Sequence, residues 1–204
     1  MQIIDLVQRT KTWHAWRAEG VTASEAAVIL GRSPYKTRQQ LLHERLGLSP
    51  ADDLSTKPCV QRGIAVEDQA RQGFEQRHNT LLLPVCAEST EHPVLRCSLD
   101  GLNDDGEPVE LKVPTEKTYR LVAKDREQAI AYQPAWVQVQ HQLYVTNAVR
   151  GWLVFDPCCN GLPALDFVIE RYDSFLEAEL VPGCLQFWAL LHTPAAETAT
   201  SFYF

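Results

Sequence analysis

Three side chains in the middle of the chain, Asp100, Glu110 and Lys112, have the types and spacing to do chemistry together. They belong to two apolar runs, Val94 to Leu99 and Val109 to Val113, separated by Asn103-Asp104-Asp105-Gly106, a strong turn sequence. The two runs predict a β-hairpin. Side chains alternate along a strand, so Glu110 and Lys112 share one face while Val109, Leu111 and Val113 take the other. Asp100, ending the preceding strand, comes to lie opposite or beside Glu110. Two carboxylates so close are unfavourable unless their charge is neutralised, and a divalent cation with oxygen ligands does this well. Such a cation polarises a phosphoryl oxygen and acidifies a bound water, while an ammonium can orient that water or stabilise charge on phosphorus. Hydrolysis of a phosphodiester is the reaction that needs this set. On these three residues alone a plainer reading stays open, with Asp100 as a turn residue and Glu110–Lys112 as a solvated pair.

Two neighbours weigh on that choice. Glu67 falls inside the apolar stripe of a helix marked by Val60, Ile64, Ala70 and Phe74. A carboxylate facing a core is costly unless it meets a metal or a cation, and Arg71 stands one turn later. Gln138 and Gln140 sit in Trp136-Val-Gln-Val-Gln-His-Gln-Leu-Tyr144, apolar enough otherwise to be buried. Buried amides need partners, and a substrate or metal-bound water would serve. His141 beside them reads as a satisfied helix histidine.

The elements that must position these residues follow from pattern. Residues 22–31 read as a short helix capped by Thr22 or Ser24 and stopped by Gly31. Ser33-Pro34-Tyr35 is a turn, Thr37 to Leu46 a second helix ending at Gly47, and Leu48 to Pro58 a polar loop. A third helix runs from Val60 to Arg77, and strands follow at Leu81 to Ala87 and in the hairpin. A connector of mixed charge leads to a helix at Pro134 to Thr146, then strands at Gly151 to Phe155 and Leu165 to Glu170. A last helix spans Ser174 to His192, and the tail Thr193 to Phe204 is expected to move until its aromatic end docks. This order predicts one α/β (α+β) domain over residues 1–204, with a mixed central sheet flanked by helices.

The bulk numbers set bounds. Six cysteines among 204 residues show neither C-x-x-C nor zinc-finger spacing, so they read as small buried hydrophobes, with Cys158–Cys159 two free thiols in a turn. A net charge of −7 argues against a protein that wraps DNA in positive charge. The charge is uneven, however: residues 1–46 carry +3 and the remainder −10. No run of apolar residues is long enough for a membrane span. The N-terminus has no signal-peptide core, which points to the cytoplasm.

Taken together, these residues resemble the phage lambda exonuclease / YqaJ-type viral recombinase family, within the PD-(D/E)xK nuclease superfamily. The resemblance runs from Trp13 to Phe155. It rests on Trp13-His14-x-x-Arg17, Gly20 to Glu25, Arg62-Gly63 with Glu67 and Ala70-Arg71, Ser98 to Leu102, Glu110 to Pro114 and Gln138-Val139-Gln140. Leu99 stands where the superfamily's name expects proline. The resemblance implies a restriction-endonuclease-like core and a processive, Mg2+-dependent exonuclease, with two ions expected and Mn2+ as a substitute. It would degrade the 5′-ended strand of linear duplex DNA to 5′-mononucleotides, leaving a 3′ single strand for a single-strand annealing protein. It further implies a homotrimer, phage or prophage encoded, working in the bacterial cytoplasm. By resemblance, Asp100, Glu110, the Leu111 carbonyl and Glu67 bind metal, and Lys112 with Gln138 positions the attacking water. Arg17, Ser24 and Trp13, in the helical N-terminal segment (residues 1–58), hold the 5′-phosphate. Physics independent of the family agrees on the last point, since arginine forks onto phosphate and helix N-termini attract anions. The competing expectations are a restriction-type endonuclease, a Cas4-like exonuclease (disfavoured because the cysteines offer no iron–sulfur spacing) and a catalytically silent DNA-end-binding protein.

Overall fold

A computed structural model describes residues 1–50, 56–159 and 161–193. Its strands, β1 (Gln2–Ile4), β2 (Val21–Thr22), β3 (Leu83–Glu88), β4 (Leu95–Leu102), β5 (Pro108–Lys112), β6 (Arg150–Phe155) and β7 (Leu165–Glu170), form one mixed sheet. The order is β1-β3-β4-β5-β6-β7, with β2 pairing in parallel beside β4. All other contacts are antiparallel except β5–β6, whose parallel pairing requires a crossover. That crossover carries α5 (Glu116–Asp125) and α6 (Tyr132–Thr146).

Helices cover both faces. On one, α2 (Ala23–Ile29), α6 and the C-terminal helices α7 (Asp173–Phe175) and α8 (Val181–Leu191) bury Leu95, Cys97 and Leu99 of β4. On the other, α4 (Pro58–His78) sets Ala70 and Phe74 against Val109, Leu111 and Val154. Each of these side chains is almost wholly removed from water, worth about 1.5–3 kcal/mol for each large apolar residue. The mixed sheet with flanking helices agrees with the sequence expectation.

Several expectations need correction. The charged connector before α6 is a helix, α5, capped by Thr115, whose hydroxyl accepts from the Thr118 N–H at 3.3 Å. Tyr119 and Val122 are its buried residues. Two further helices frame the N-terminal region: α1 (Lys11–Ala18), not foreseen, and α3 (Arg38–Arg45), expected over Thr37 to Leu46 and capped by Thr37. Ile64, placed in the core stripe, is 44% exposed, because the first half of α4 overhangs a cleft and the helix packs on the sheet only from Ala70 onward. Leu81, placed in a strand, is exposed ahead of β3.

The C-terminal helix starts near its predicted place but contains a π turn at Leu176–Leu180. Pro182 stands two residues past its end; it has no N–H for an α-helical bond, and the wider turn admits its ring. Cys86, Cys97 and Cys184 are buried free thiols, and Cys158 and Cys159 are half-buried free thiols, Cys158 at φ +48°. The Cys59 side chain, a stretch of the polar loop and all but the first residue of the tail lie outside the described residues.

His141 departs from expectation in its surroundings. It is wholly buried, and neither ring nitrogen has a hydrogen-bond partner. Burial drives its pKa down from 6.5 to about 3. The unfolded chain takes up this proton near 6.5 and the folded one only near 3, so stability is intact above 6.5 and drains as pH falls between those values. His141→Leu removes an unpaired polar group worth about 1–3 kcal/mol. Melting curves from about pH 7 to 4 should show a higher Tm than the parent's and a shallower loss on the acid side. An unchanged acid slope would show that this imidazole is not the group responsible.

Candidate active site

The hairpin forms as expected, with Gly101 opposite Val109 and Leu102 opposite Pro108. Asp100, however, does not end its strand; β4 continues to Leu102. Against β3 the register slips here: Leu99 faces Val85 and Leu102 faces Leu83, so β4 carries one extra residue. Bulges of this kind re-aim a side chain and recur beside active sites. Gly101 permits the tight local packing, since a Cβ there would lie 2.7 Å from the Leu82 Cβ. The β4–β5 pairs stop just before Asp100, whose carboxylate instead accepts the Leu111 N–H at 2.8 Å.

Along β5 the expected alternation holds. Val109 and Leu111 enter the core under α4, while Glu110 and Lys112 turn toward α6. Lys112 Nζ donates to Glu110 Oε1 at 2.7 Å and to Gln138 Oε1 at 2.9 Å. The other Glu110 oxygen, Oε2, accepts from Gln142 Nε2 at 2.6 Å. Gln142 was not foreseen as a site residue, although its i,i+4 spacing from Gln138 puts both on one helix face. Gln140, expected to await a substrate or water, is spent elsewhere: its amide donates to the Glu170 carbonyl and accepts the Tyr172 N–H. One helix step of about 100° separates neighbouring residues on α6, so Gln140 points away from the face that Gln138 and Gln142 share.

Glu110 and Lys112 line a cleft of about 330 Å3 with Val60, Ile64, Glu67, Asp100 and Leu111. Burial, then the charge of Glu110, pushes the Asp100 pKa well above its ordinary value. Burial alone would lower the pKa of Lys112, but the charge of Glu110, its hydrogen bond and Asp100 hold it above the usual range. The cleft thus contains more negative charge than its one ammonium balances. Glu67 faces this cleft rather than the core and pairs with Arg71 at 3.0 Å and with Arg9. Arg71 also donates to the Asp100 carbonyl at 3.1 Å, tying α4 to the bulge.

Among the described residues, no three His, Cys, Asp or Glu side chains stand ready as a metal cluster. The donors on offer are Asp100, Glu110 and a main-chain oxygen. Such an all-oxygen set suits Mg2+, which commonly uses one or two carboxylates and keeps several waters. Asp100, a half-buried acid with no ammonium of its own among the described residues, is the feature that a cation would relieve.

A second group adjoins the first. The Arg17 guanidinium lies over the Trp13 ring, 4.6 Å from its centroid, and donates to Ser24 Oγ at 2.9 Å and Thr22 Oγ1 at 3.2 Å. Burial lowers its pKa, opposed chiefly by Glu25 and to a lesser extent by Glu110. Thr22, not Ser24, caps α2: its backbone N–H and hydroxyl both bond Glu25, each at 2.9 Å. Ser24 is left exposed beside Arg17 in the first turn. Trp13 Nε1 donates to Ser98 Oγ at 2.7 Å, which links this pocket to β4 two residues before Asp100. The expected site residues thus fall into two groups, the second tied to β4 through the Trp13–Ser98 hydrogen bond.

The mixed sheet flanked by helices is a restriction-endonuclease-like fold. Residues 12–149 match the YqaJ-like viral recombinase domain, and the chain belongs to that family. The structure is similar to the alkaline exonuclease LHK-Exo from Laribacter hongkongensis, at 22% identity and TM-score 0.75, covering 94% of this chain and 97% of that one. The same enzyme in complex with dAMP matches over the same shares at TM-score 0.76, with 22% identity. A phage-related exonuclease from Haemophilus somnus 129PT is similar at TM-score 0.59 and 13% identity, over 84% of this chain and 94% of that one. No curated protein sequence matches.

Proposed function

We propose that this protein is a Mg2+-dependent exonuclease that degrades the 5′-ended strand of linear duplex DNA. The reading is carried by Asp100, Glu110, Lys112 and Gln138 meeting in one cleft beside an arginine pocket. Asp100, Glu110 and the Leu111 carbonyl would hold the metal, and Glu67, braced by Arg9 and Arg71, would position its water shell. When bound, the ion would polarise the scissile phosphoryl group and acidify a water.

The remaining work falls to the chain. Lys112 places a fixed ammonium where negative charge grows on the phosphoryl oxygens. Gln138, anchored to Lys112 through its carbonyl, orients the attacking water. Arg17 and Ser24 hold the terminal 5′-phosphate, and Trp13 braces Arg17 by stacking. Fixing that end sets which phosphodiester enters the cleft, so 5′-mononucleotides leave and a 3′ strand remains for a single-strand annealing protein. The dAMP bound by the Laribacter hongkongensis enzyme is a mononucleotide. The same reading includes a homotrimer acting in the bacterial cytoplasm.

Linear and closed-circular duplex DNA, incubated with Mg2+ and then with EDTA, test the proposal. Only the linear form should disappear, from its 5′ ends, and EDTA should stop it. Cutting of the circle would instead mark an endonuclease, and no cutting a silent end-binding protein. The pocket has its own test. Charge-assisted hydrogen bonds contribute about 1.5–3 kcal/mol, or roughly 10–100-fold in rate. Arg17→Ala should slow digestion of 5′-phosphorylated ends by that factor and abolish the preference over 5′-hydroxyl ends. Equal rates on both ends with the parent protein would remove the pocket from the mechanism.

A further inference from the structure

Glu110 is 4% exposed, and each of its oxygens has one protein donor: Lys112 on Oε1 and Gln142 on Oε2. Lys112 is itself one of the reacting groups in the reading above, and its side chain is one-third exposed at the cleft. Gln142 differs on both counts. It is fully buried, lies behind the carboxylate rather than in front of it, and reaches no point where a substrate could sit.

The orientation of its amide is informative. Gln142 Oε1 is buried with no hydrogen-bond partner, and an orphaned carbonyl costs about 1–3 kcal/mol. Rotating the amide by half a turn would set that oxygen against the Glu110 carboxylate, two acceptors with no proton between them. The side chain therefore gives up satisfaction of its own carbonyl in order to donate to Glu110. Packing alone does not explain a glutamine here, because an apolar side chain of equal volume would fill the space without the orphan. Its neighbour one turn back, Gln138, faces the same strand and bonds Lys112. The face of α6 over β5 is thus a two-amide rack, one amide for each charged residue of the strand.

We infer that Gln142 is a positioning residue that fixes Glu110 in the rotamer needed to bind the cation. This inference rests on the reading of the cleft as a metal-dependent nuclease site. Groups that orient a metal's ligands are worth about 10–100-fold in metal affinity or activity when removed.

The test is Mn2+ binding to the DNA-free protein by isothermal titration calorimetry, for the parent, Gln142→Met and Gln142→Asn, with melting curves alongside. Met keeps the volume and removes both the donor and the orphan; Asn keeps the amide but is one methylene short. Gln142→Met should fold with a Tm near the parent's and bind Mn2+ about 10–100-fold more weakly. Its cleavage should need correspondingly more metal for half-maximal rate, with an unchanged KM for DNA. Gln142→Asn, retaining a donor that falls short, should lie between the two, and serves alone if Met fails to fold. Parent-like Mn2+ affinity in a folded variant, with only Tm reduced, would overturn the inference and leave the nuclease reading standing. A parent protein that binds no Mn2+ would overturn both.

Discussion

Asp100→Asn should abolish cleavage while making the metal-free protein more stable. The two effects have one cause. Asp100 is a half-buried acid facing Glu110, and desolvation with that neighbouring charge raises its pKa well above the ordinary value. The unfolded chain releases this proton at the ordinary carboxylate value of 3.8, and the folded protein only at higher pH. Between the two the folded state holds more protons, so metal-free stability falls as pH rises through the raised pKa. Asparagine keeps an oxygen to accept the Leu111 N–H and removes the charge. Thermal melts in EDTA should give similar Tm values below about pH 3.8, with a gap in the variant's favour that opens above it and is fully developed at the raised pKa. Divalent metal should raise the parent's Tm and leave the variant's nearly unmoved. The loss of a metal ligand removes several kcal/mol of transition-state stabilisation, a rate loss of about 10³ or more. Activity near the parent's would remove Asp100 from the site.

Lys112→Met should be comparably severe for catalysis but opposite in sign for stability. Removing one fixed donor from developing charge costs about 10²–10³ in rate. Unlike Asp100→Asn, it strips the cation from a cluster that is already too negative, leaving Glu110 with only Gln142 and Gln138 without its donor. The broken bond to a buried carboxylate is worth about 1–3 kcal/mol, discounted because the lysine is one-third exposed. A lower Tm in EDTA, recovered in the double variant with Asp100→Asn, is the expected pattern. Additive changes in the double variant would mean that the two groups do not share one electrostatic cluster.

How much of the site is legible in the sequence follows from which signals are local. Alternation along Val109–Val113 assigns the faces of Glu110 and Lys112 correctly, because strand period is fixed by backbone geometry. The hairpin follows from Asn103–Gly106. The bulge at Asp100 cannot be read, since it depends on the register of β3 against β4 and no residue announces it. Helix α4 is legible as a helix, but its overhang is not. An apolar stripe reports a face and not what the face meets, so Ile64 reads as core although it lines the cleft. Gln138 and Gln140 look equivalent in sequence; only the crossover angle of α6 decides that Gln138 and Gln142 face β5 while Gln140 closes onto Glu170 and Tyr172. The Arg17 pocket is legible only through the family resemblance, because α1 is eight residues of mixed character with no periodic stripe.

The central claim is that the cleft between Asp100 and Glu110 holds a divalent cation. Anomalous diffraction from crystals soaked in manganese tests it most directly. A peak is predicted within bonding reach of the Asp100 and Glu110 carboxylates and the Leu111 carbonyl oxygen. An empty cleft at saturating manganese, with Lys112 still alone on Glu110 Oε1, would contradict it.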